Sequence, residues 1–132
     1  MFIRRLFLTC VLATFGSQNI AEPFSGNDIL HACEGGEATV QQGFCFGYVF
    51  GAVEGLKWGA LIGVVSKSSG EIDSEQFDFL SSAALGFCIP PTVENGQVLD
   101  IVVRYLVETP EKRHESARTL IQSALASSFP CS

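Results

Sequence analysis

The sequence predicts an all-α fold, a small disulfide-stapled bundle of about four to five helices. Apolar residues recur at helical spacing in several segments, and glycines and prolines separate these segments. With 132 residues, 47% of them apolar, the chain can form one domain with its own core. One segment has a glycine at every fourth position, which fits a helix and not the two-residue period of a strand. We call these residues the glycine ladder: Gly43, Gly47, Gly51, Gly55, Gly59 and Gly63.

The first 21 residues have the features of an export signal. Arg4 and Arg5 form a basic start, and residues 6–15 form an apolar run that is too short to span a bilayer. Cleavage after Ala21 is expected, with Gly16 as the alternative. Residues 1–21 are therefore predicted to be a signal peptide, and residues 22–132 a helical domain.

The first half of this domain is predicted to contain three helices. Ser25 or Asn27 caps a first helix that ends at Cys33, before two glycines. Thr39 begins the helix that carries the glycine ladder and runs to about Val65. A polar loop follows, and a short helix is expected over residues 74–85.

The second half is predicted to contain two further helices. Thr92 is expected to cap the first, whose apolar stripe lies within residues 98–106. Pro110 is expected to end this helix and to start the last one, as a proline in a first turn does. The buried face of the last helix falls within residues 117–125, and Pro130 ends it.

Four cysteines remain after removal of the signal, and an even number in an exported chain predicts two disulfides. Three pairings are possible, and we favour Cys33–Cys45 and Cys88–Cys131. The first would join the end of one helix to the start of the next. The second would tie the end of the chain to the entrance of the helix after Pro91.

The glycine-ladder helix is also long enough to span a membrane, and small residues at four-residue spacing are typical of membrane helix contacts. Glu54 and Lys57 lie near its middle, where each charge is costly, although they could pair with each other. A span would also place Cys88 and Cys131 in the reducing cytosol. We therefore predict no stable membrane insertion and a ladder that packs against another helix at close range.

The composition disfavours nucleic acid as a partner. Removing Arg4 and Arg5 leaves six basic residues against 14 acidic ones, a net charge of −8. Such a domain repels phosphate backbones and suits a cationic protein surface. His31 and His114 are expected at the surface, and no motif for a catalytic residue, a metal or a cofactor is present. We predict a binding protein and not an enzyme.

Several short motifs occur together in this chain. Cys33 is followed by Phe-Cys-Phe-Gly-Tyr at residues 44–48, by Phe-Cys-Ile-Pro-Pro at residues 87–91 and by Phe-Pro-Cys at residues 129–131. This set resembles the Rap1a/Tai family of periplasmic immunity proteins associated with type VI secretion. The resemblance implies an exported helical bundle that binds a toxic effector, often a peptidoglycan amidase, and blocks its cleft. It also implies a periplasmic location in a Gram-negative cell.

Two interaction surfaces are predicted within this interpretation. Acidic side chains are expected to contact the secreted effector, and the glycine ladder is a possible homodimer contact. An alternative function is that of a disulfide-stabilised periplasmic protein with a structural or stress-chaperone role. The predicted effector-binding residues are Glu71, Asp73, Glu75, Glu108 and Glu111.

Overall fold

The structure, a computed structural model, describes residues 22–66 and 73–131, and the predicted signal peptide lies outside them. This part of the chain contains five α-helices and one short 3-10 helix, which confirms the predicted all-α fold. The α-helices are α1 (Gly26–Cys33), α2 (Val40–Val65), α3 (Ser74–Leu85), α4 (Asn95–Glu108) and α5 (Ala117–Ser128).

Side chains predicted to start helices do so at two of three places. The Ser25 hydroxyl accepts the Asp28 backbone N–H, and the Asp28 carboxylate accepts the Ser25 N–H at 2.8 Å, a reciprocal capping box. Thr39 accepts the Gln42 N–H at 3.2 Å and starts α2. Thr92 does not cap α4.

Instead, α4 begins three residues later than Thr92. Pro90 and Val93 are joined by a backbone hydrogen bond of 3.0 Å, so Thr92 lies within a turn. Glu94 is the N-cap residue, and its N–H donates to the Gln97 side-chain oxygen at 2.8 Å. The two prolines before Thr92 favour this turn, because proline fixes its own backbone angle and restricts the residue before it.

The main core lies between α1, the first half of α2, α4 and α5. Phe87, on the connection between α3 and α4, is fully buried in it. The core residues are Ile29, Leu30, Val49, Val53, Phe87, Val98, Val102, Leu106, Ala117, Leu120, Ile121, Ala124 and Leu125.

Most of helix α3 lies beside this core and packs on the second half of α2, while its last residue, Leu85, packs against the core. The Trp58 and Phe77 rings have centroids 4.9 Å apart, and the Lys57 ammonium lies 3.1 Å from the Asp78 carboxylate. The interpretation that Lys57 pairs with Glu54 is therefore wrong. Lys57 turns to α3, where an acidic partner is available.

Both predicted disulfides are confirmed. Cys33–Cys45 joins the last residue of α1 to the second turn of α2, and Cys88–Cys131 joins the α3–α4 connection to the residues after α5. Their Cα atoms are 5.0 and 4.9 Å apart. Disulfides of this kind are typical of oxidising compartments.

The connection between α4 and α5 differs from the sequence prediction. Pro110 begins a 3-10 helix, Pro110–Lys112, and α5 begins only at Ala117. The Arg113 guanidinium donates to the carbonyls of Leu106 and Val107 at the end of α4. A cation suits this end of a helix, where carbonyls lack partners. Arg113 thus makes the connection an ordered part of the surface.

Candidate functional site

The glycine ladder lies on the outer side of α2. All six of its glycines are exposed, and a Cβ added at any of them would meet no atom within 4 Å outside the local helix. The prediction that the ladder packs against another helix of this bundle is therefore wrong for the described part of the chain. Cys45, Val49 and Val53 face inward from α2 instead.

A continuous apolar surface follows this outer side of α2. Large side chains lie towards its two ends, with 91% of Val40, 40% of Phe44, 56% of Trp58 and 65% of Ile62 exposed. Glycines occupy its middle, where the helix backbone is bare. We call this surface the α2 face: Val40, Phe44, Gly47, Gly51, Gly55, Trp58 and Ile62.

A groove of about 530 Å³ borders the α2 face on the side of α5. Ladder glycines form its floor, and Tyr48, Leu56 and Arg118 line its walls. Partial burial raises the pKa of the Tyr48 phenol, while the positive charge of Arg118 acts in the opposite direction. The phenol is thus a neutral hydrogen-bonding group in a mainly apolar groove.

Three aromatic rings meet at the N-terminal end of this groove. The centroids of Phe24 and Phe44 are 5.2 Å apart, those of Phe24 and Tyr48 are 5.5 Å apart, and those of Phe44 and Tyr48 are 5.9 Å apart. Such distances are favourable for aromatic pairs. Phe24 is also anchored by its carbonyl, which accepts the Ala117 N–H at 2.7 Å. This end of the α2 face is therefore held in place by the core.

Only two of the five acidic residues predicted to bind the effector, Asp73 and Glu75, lie at one recess in the described part of the chain. Asp73 and Glu75 lie at the start of α3 beside a shallow recess of about 370 Å³ that also contains Phe79. Asp73 caps the helix, since its carboxylate accepts the Gln76 N–H at 2.8 Å. Phe79 is 70% exposed, which makes it an apolar centre with acidic neighbours.

The other predicted acidic residues lie elsewhere or outside the described part. Glu108 is the last residue of α4, and Glu111 lies in the 3-10 helix that follows; both are exposed. Glu71 lies outside residues 22–66 and 73–131. Within those two ranges, no hydrogen bond, salt bridge or pocket links Glu108 or Glu111 to Asp73 or Glu75.

Sequence reasoning missed the contribution of Phe79 and of Arg118. Helical spacing places Phe77, Leu80 and Ala84 on one apolar face of α3, and Phe79 does not fall on that face. An aromatic residue that lies away from the buried face of a short helix is thus the sequence feature that could have indicated an exposed contact residue at Phe79. Arg118 had no such signal, because its place beside the ladder depends on how α5 packs against α2.

The two histidines lie at the protein surface. His31 and His114 are exposed, as predicted. Within residues 22–66 and 73–131, no three or more His, Cys, Asp and Glu residues are grouped to hold a metal ion.

Helix α2 is long and apolar enough, by length and composition alone, to cross a membrane. Only 17% of its most apolar 18-residue segment is buried by the rest of the chain. The core of the bundle therefore covers one side of this helix and leaves much apolar surface for a further contact.

These features define a small disulfide-linked all-α domain with a large apolar surface suited to contact with another macromolecule. The model of the Rap1a immunity proteins matches residues 25–131, which is most of the chain. The chain therefore belongs to the Rap1a immunity protein family. No match was found among curated proteins or among solved structures.

Proposed function

We propose that this chain is exported to the periplasm of a Gram-negative cell, where it binds and blocks a toxic effector delivered by type VI secretion. The family match over residues 25–131 carries the proposal, since the members are immunity proteins. The two disulfides support an oxidising location. The effector is proposed to be a peptidoglycan amidase, a class of toxin that acts in this compartment.

The start of α3 is the proposed effector contact. Phe79 supplies an exposed aromatic group, and Asp73 and Glu75 supply negative charge at the edge of the same recess. An aromatic centre with a polar rim is the usual arrangement of residues that dominate binding energy. The Lys57–Asp78 ion pair and the contact between the tilted Trp58 and Phe77 rings hold α3 against α2. The contact thus lies on an ordered helix, with Glu71 preceding it in the chain.

A second acidic contact is proposed at Glu108 and Glu111. Arg113 orders this connection through its bonds to the end of α4, so the two carboxylates extend from a fixed segment. Together with the net charge of −8 after signal removal, they favour an effector with a cationic surface around its active cleft.

The proposal includes self-association of the chain into a homodimer. The α2 face is apolar and exposed, and nothing in the described part of the chain covers its glycine centre. A second copy would cover this apolar surface and shield it from water without insertion of α2 into a membrane.

Protection of cells from the toxin tests the effector proposal. An amidase encoded beside this chain would be directed to the periplasm, alone and together with this chain. Co-production should prevent lysis, and a version of the chain without residues 1–21 should not protect, because it would stay in the cytoplasm. A Phe79→Ser variant of the exported chain should protect less well. Lysis that proceeds unchanged with the folded, exported chain present would rule the proposal out for that toxin.

A further inference from the structure

Helix α2 carries only two charged residues, Glu54 and Lys57, and the fold explains only one of them. Lys57 is paired with Asp78 of α3, at 3.1 Å between the ammonium nitrogen and the carboxylate oxygen. Glu54 is exposed and makes no hydrogen bond or ion pair within residues 22–66 and 73–131. The packing of the described chain thus accounts for the charge of Lys57 and not for that of Glu54.

Glu54 lines a cleft of about 410 Å³ between α2, α3 and the connection that leads into α4. We call it the proline cleft, because Pro90 and Pro91 form part of its wall. The Lys57–Asp78 ion pair also lines it. Apolar side chains from α2, the connection and α4 contribute to the remaining surface: Phe50, Val53, Ile89 and Val98.

The connection that forms one wall of the proline cleft is held in place on both sides of the prolines. Before them, Cys88 is bound to Cys131 by a disulfide, and its N–H donates to the Phe129 carbonyl at 2.8 Å. After them, the Val93 N–H donates to the Pro90 carbonyl at 3.0 Å. The fixed backbone angle of each proline adds stiffness. A group that enters the cleft therefore meets a largely ordered surface, which lowers the entropic cost of binding.

The charges of the proline cleft favour a cationic side chain. Two carboxylates and one ammonium line it, which leaves one net negative charge. The side chain of Lys57 is only 19% exposed, whereas that of Asp78 is 66% exposed, so the Asp78 carboxylate has room for a second donor. An anionic group would be repelled by Glu54 and Asp78. A purely apolar group would shield these carboxylates from water without replacing the lost hydrogen bonds.

We propose that the proline cleft receives an arginine side chain of a partner protein, with an apolar side chain beside it in the partner. Under the proposed function, on which this identification of the partner rests, the partner is the effector. The guanidinium would donate to the carboxylates of Glu54 and Asp78, and its methylene chain would lie on Phe50 and the prolines. Arginine suits this place better than lysine, because its planar group presents several donors in a fixed arrangement and packs on flat surfaces.

An exposed aromatic residue extends the apolar wall of the cleft along α2. Phe46 is 44% exposed, and the centroid of its ring lies 4.4 Å from that of Phe50. This pair offers a surface for the apolar side chain next to the arginine. Large aromatic groups at such positions commonly supply much of the binding energy of a protein contact.

The proline cleft adjoins the effector contact proposed at the start of α3. Asp78 lines the cleft, and the next residue, Phe79, borders the recess that contains Asp73 and Glu75. One partner surface can therefore cover both. None of the cleft residues belongs to the α2 face, so the proposal does not depend on association of two copies.

A short peptide tests the cleft in the absence of any effector. The probe is the dipeptide Phe-Arg with both ends blocked, and its control contains citrulline, which has nearly the shape of arginine but no charge. Titrated into the isotope-labelled, oxidised protein, the arginine peptide should shift the amide NMR signals of Val53, Ile89 and Asn95. The citrulline peptide should bind about two- to fivefold more weakly, as expected for loss of an exposed ion pair.

Three outcomes of the peptide titration would overturn the proposal. They are the absence of shifts with the arginine peptide, equal binding of the two peptides, and shifts confined to the recess beside Phe79. Added salt should weaken binding of the arginine peptide and leave that of the citrulline peptide nearly unchanged.

Glu54→Gln tests the residue that carries the argument. This change removes the charge and keeps the size of the side chain, so it should weaken the arginine peptide about two- to fivefold and leave the citrulline peptide unaffected. The melting temperature should not change, because Glu54 has no partner in the described chain. Glu37→Gln is the matched control, since it removes the same charge from an exposed position in the α1–α2 loop, and it should bind as the parent does. Equal weakening by the two variants would show an effect of net charge alone and would overturn the proposal.

A purified amidase that the chain inhibits separates this inference from the proposed function. Glu54→Gln should raise the dissociation rate of that complex at least about twofold, and Glu37→Gln should not. An unchanged rate with Glu54→Gln would overturn the placement of the effector in the proline cleft, although the inhibition itself would stand. If instead no amidase is bound while the arginine peptide behaves as expected, the proposed function fails and the arginine specificity of the cleft is retained.

Discussion

Cys88 and Cys131 lie 43 residues apart in the chain and are joined by a disulfide, with the Cys88 N–H also donating to the Phe129 carbonyl at 2.8 Å. The fully buried Phe87 directly precedes this link. The end of the chain is thus attached to the core at the point where α3 leads into α4.

Replacing Cys88 and Cys131 together with serine should destabilise the protein strongly. In the chain-entropy account, closing a loop of this length stabilises by about 4 kcal/mol, against about 3 kcal/mol for the Cys33–Cys45 loop. Urea unfolding of both serine pairs would measure the two effects. We expect the larger loss for Cys88 and Cys131. A larger loss at the Cys33–Cys45 pair would contradict this ranking.

Gly51 and Gly26 should respond in opposite ways to replacement by alanine. At Gly51 the added methyl is free of contacts, so the helix should gain about 0.5–1 kcal/mol. At Gly26 it would lie 2.5 Å from a Leu120 methyl and 3.1 Å from Arg113 backbone atoms, so overpacking should cost about 1–3 kcal/mol. Unfolding at a protein concentration low enough to give monomer is the measurement. A destabilised Gly51→Ala would indicate contacts on the ladder within the single chain.

These two glycines also show what the sequence could and could not predict. The four-residue spacing of the glycines correctly predicts a helix with one bare side. The same spacing would occur whether that side packs against a helix of the same chain or against another molecule. The close approach at Gly26 depends on how the α4–α5 connection crosses α1, which periodicity does not encode.

Local signals were more reliable. The sequence predicts Ser25 or Asn27 as the cap of α1 and Thr39 as the start of α2, and Ser25 and Thr39 are the caps, because capping depends mainly on neighbouring residues. The predicted cap Thr92 fails because the turn after the two prolines moves the start of α4. The disulfide pairing was also predictable, since each bridge links segments that the helix order brings together. Proposed contacts at Asp73 and Glu75 stay predictions, because charge in the sequence does not specify which acidic surface a partner uses.

Changing the acidic residues near α3 should slow effector binding. Glu71→Lys with Glu75→Lys reverses two charges and leaves the helix cap at Asp73 intact. If this surface attracts a cationic effector, the association rate at low salt should fall about tenfold, and its dependence on salt should become weaker. Stopped-flow or surface plasmon resonance kinetics at several salt concentrations would measure both.

The control for this experiment makes the same charge change elsewhere. Glu34→Lys with Glu37→Lys alters the α1–α2 loop, far along the sequence from α3. It should slow association less than the change near α3. Equal slowing by the two double variants would mean that net charge, and not this surface, guides the effector.

The capping box of α1 should give the protein a specific acid sensitivity. Hydrogen bonds from the Ser25 side chain and backbone lower the pKa of Asp28 in the folded state. A carboxyl whose pKa is lower in the folded state than in the unfolded state stabilises the fold at pH values above its unfolded pKa, which is about 4. This stabilisation is lost as the pH falls through the folded-state pKa. The difference in melting temperature between the parent and Asp28→Asn should therefore be largest near neutral pH and shrink below about pH 4. A difference that stays constant down to pH 2.5 would show that the Asp28 charge is not involved.

Inhibition of a purified toxin tests the central claim most directly. The oxidised chain would be titrated into a peptidoglycan amidase from the same genome while release of cell-wall fragments is followed. We expect complete inhibition near one chain per amidase active site, with Phe79→Ser requiring more inhibitor. Undiminished hydrolysis by every secreted amidase of the organism, in the presence of excess folded and oxidised chain, would contradict the account.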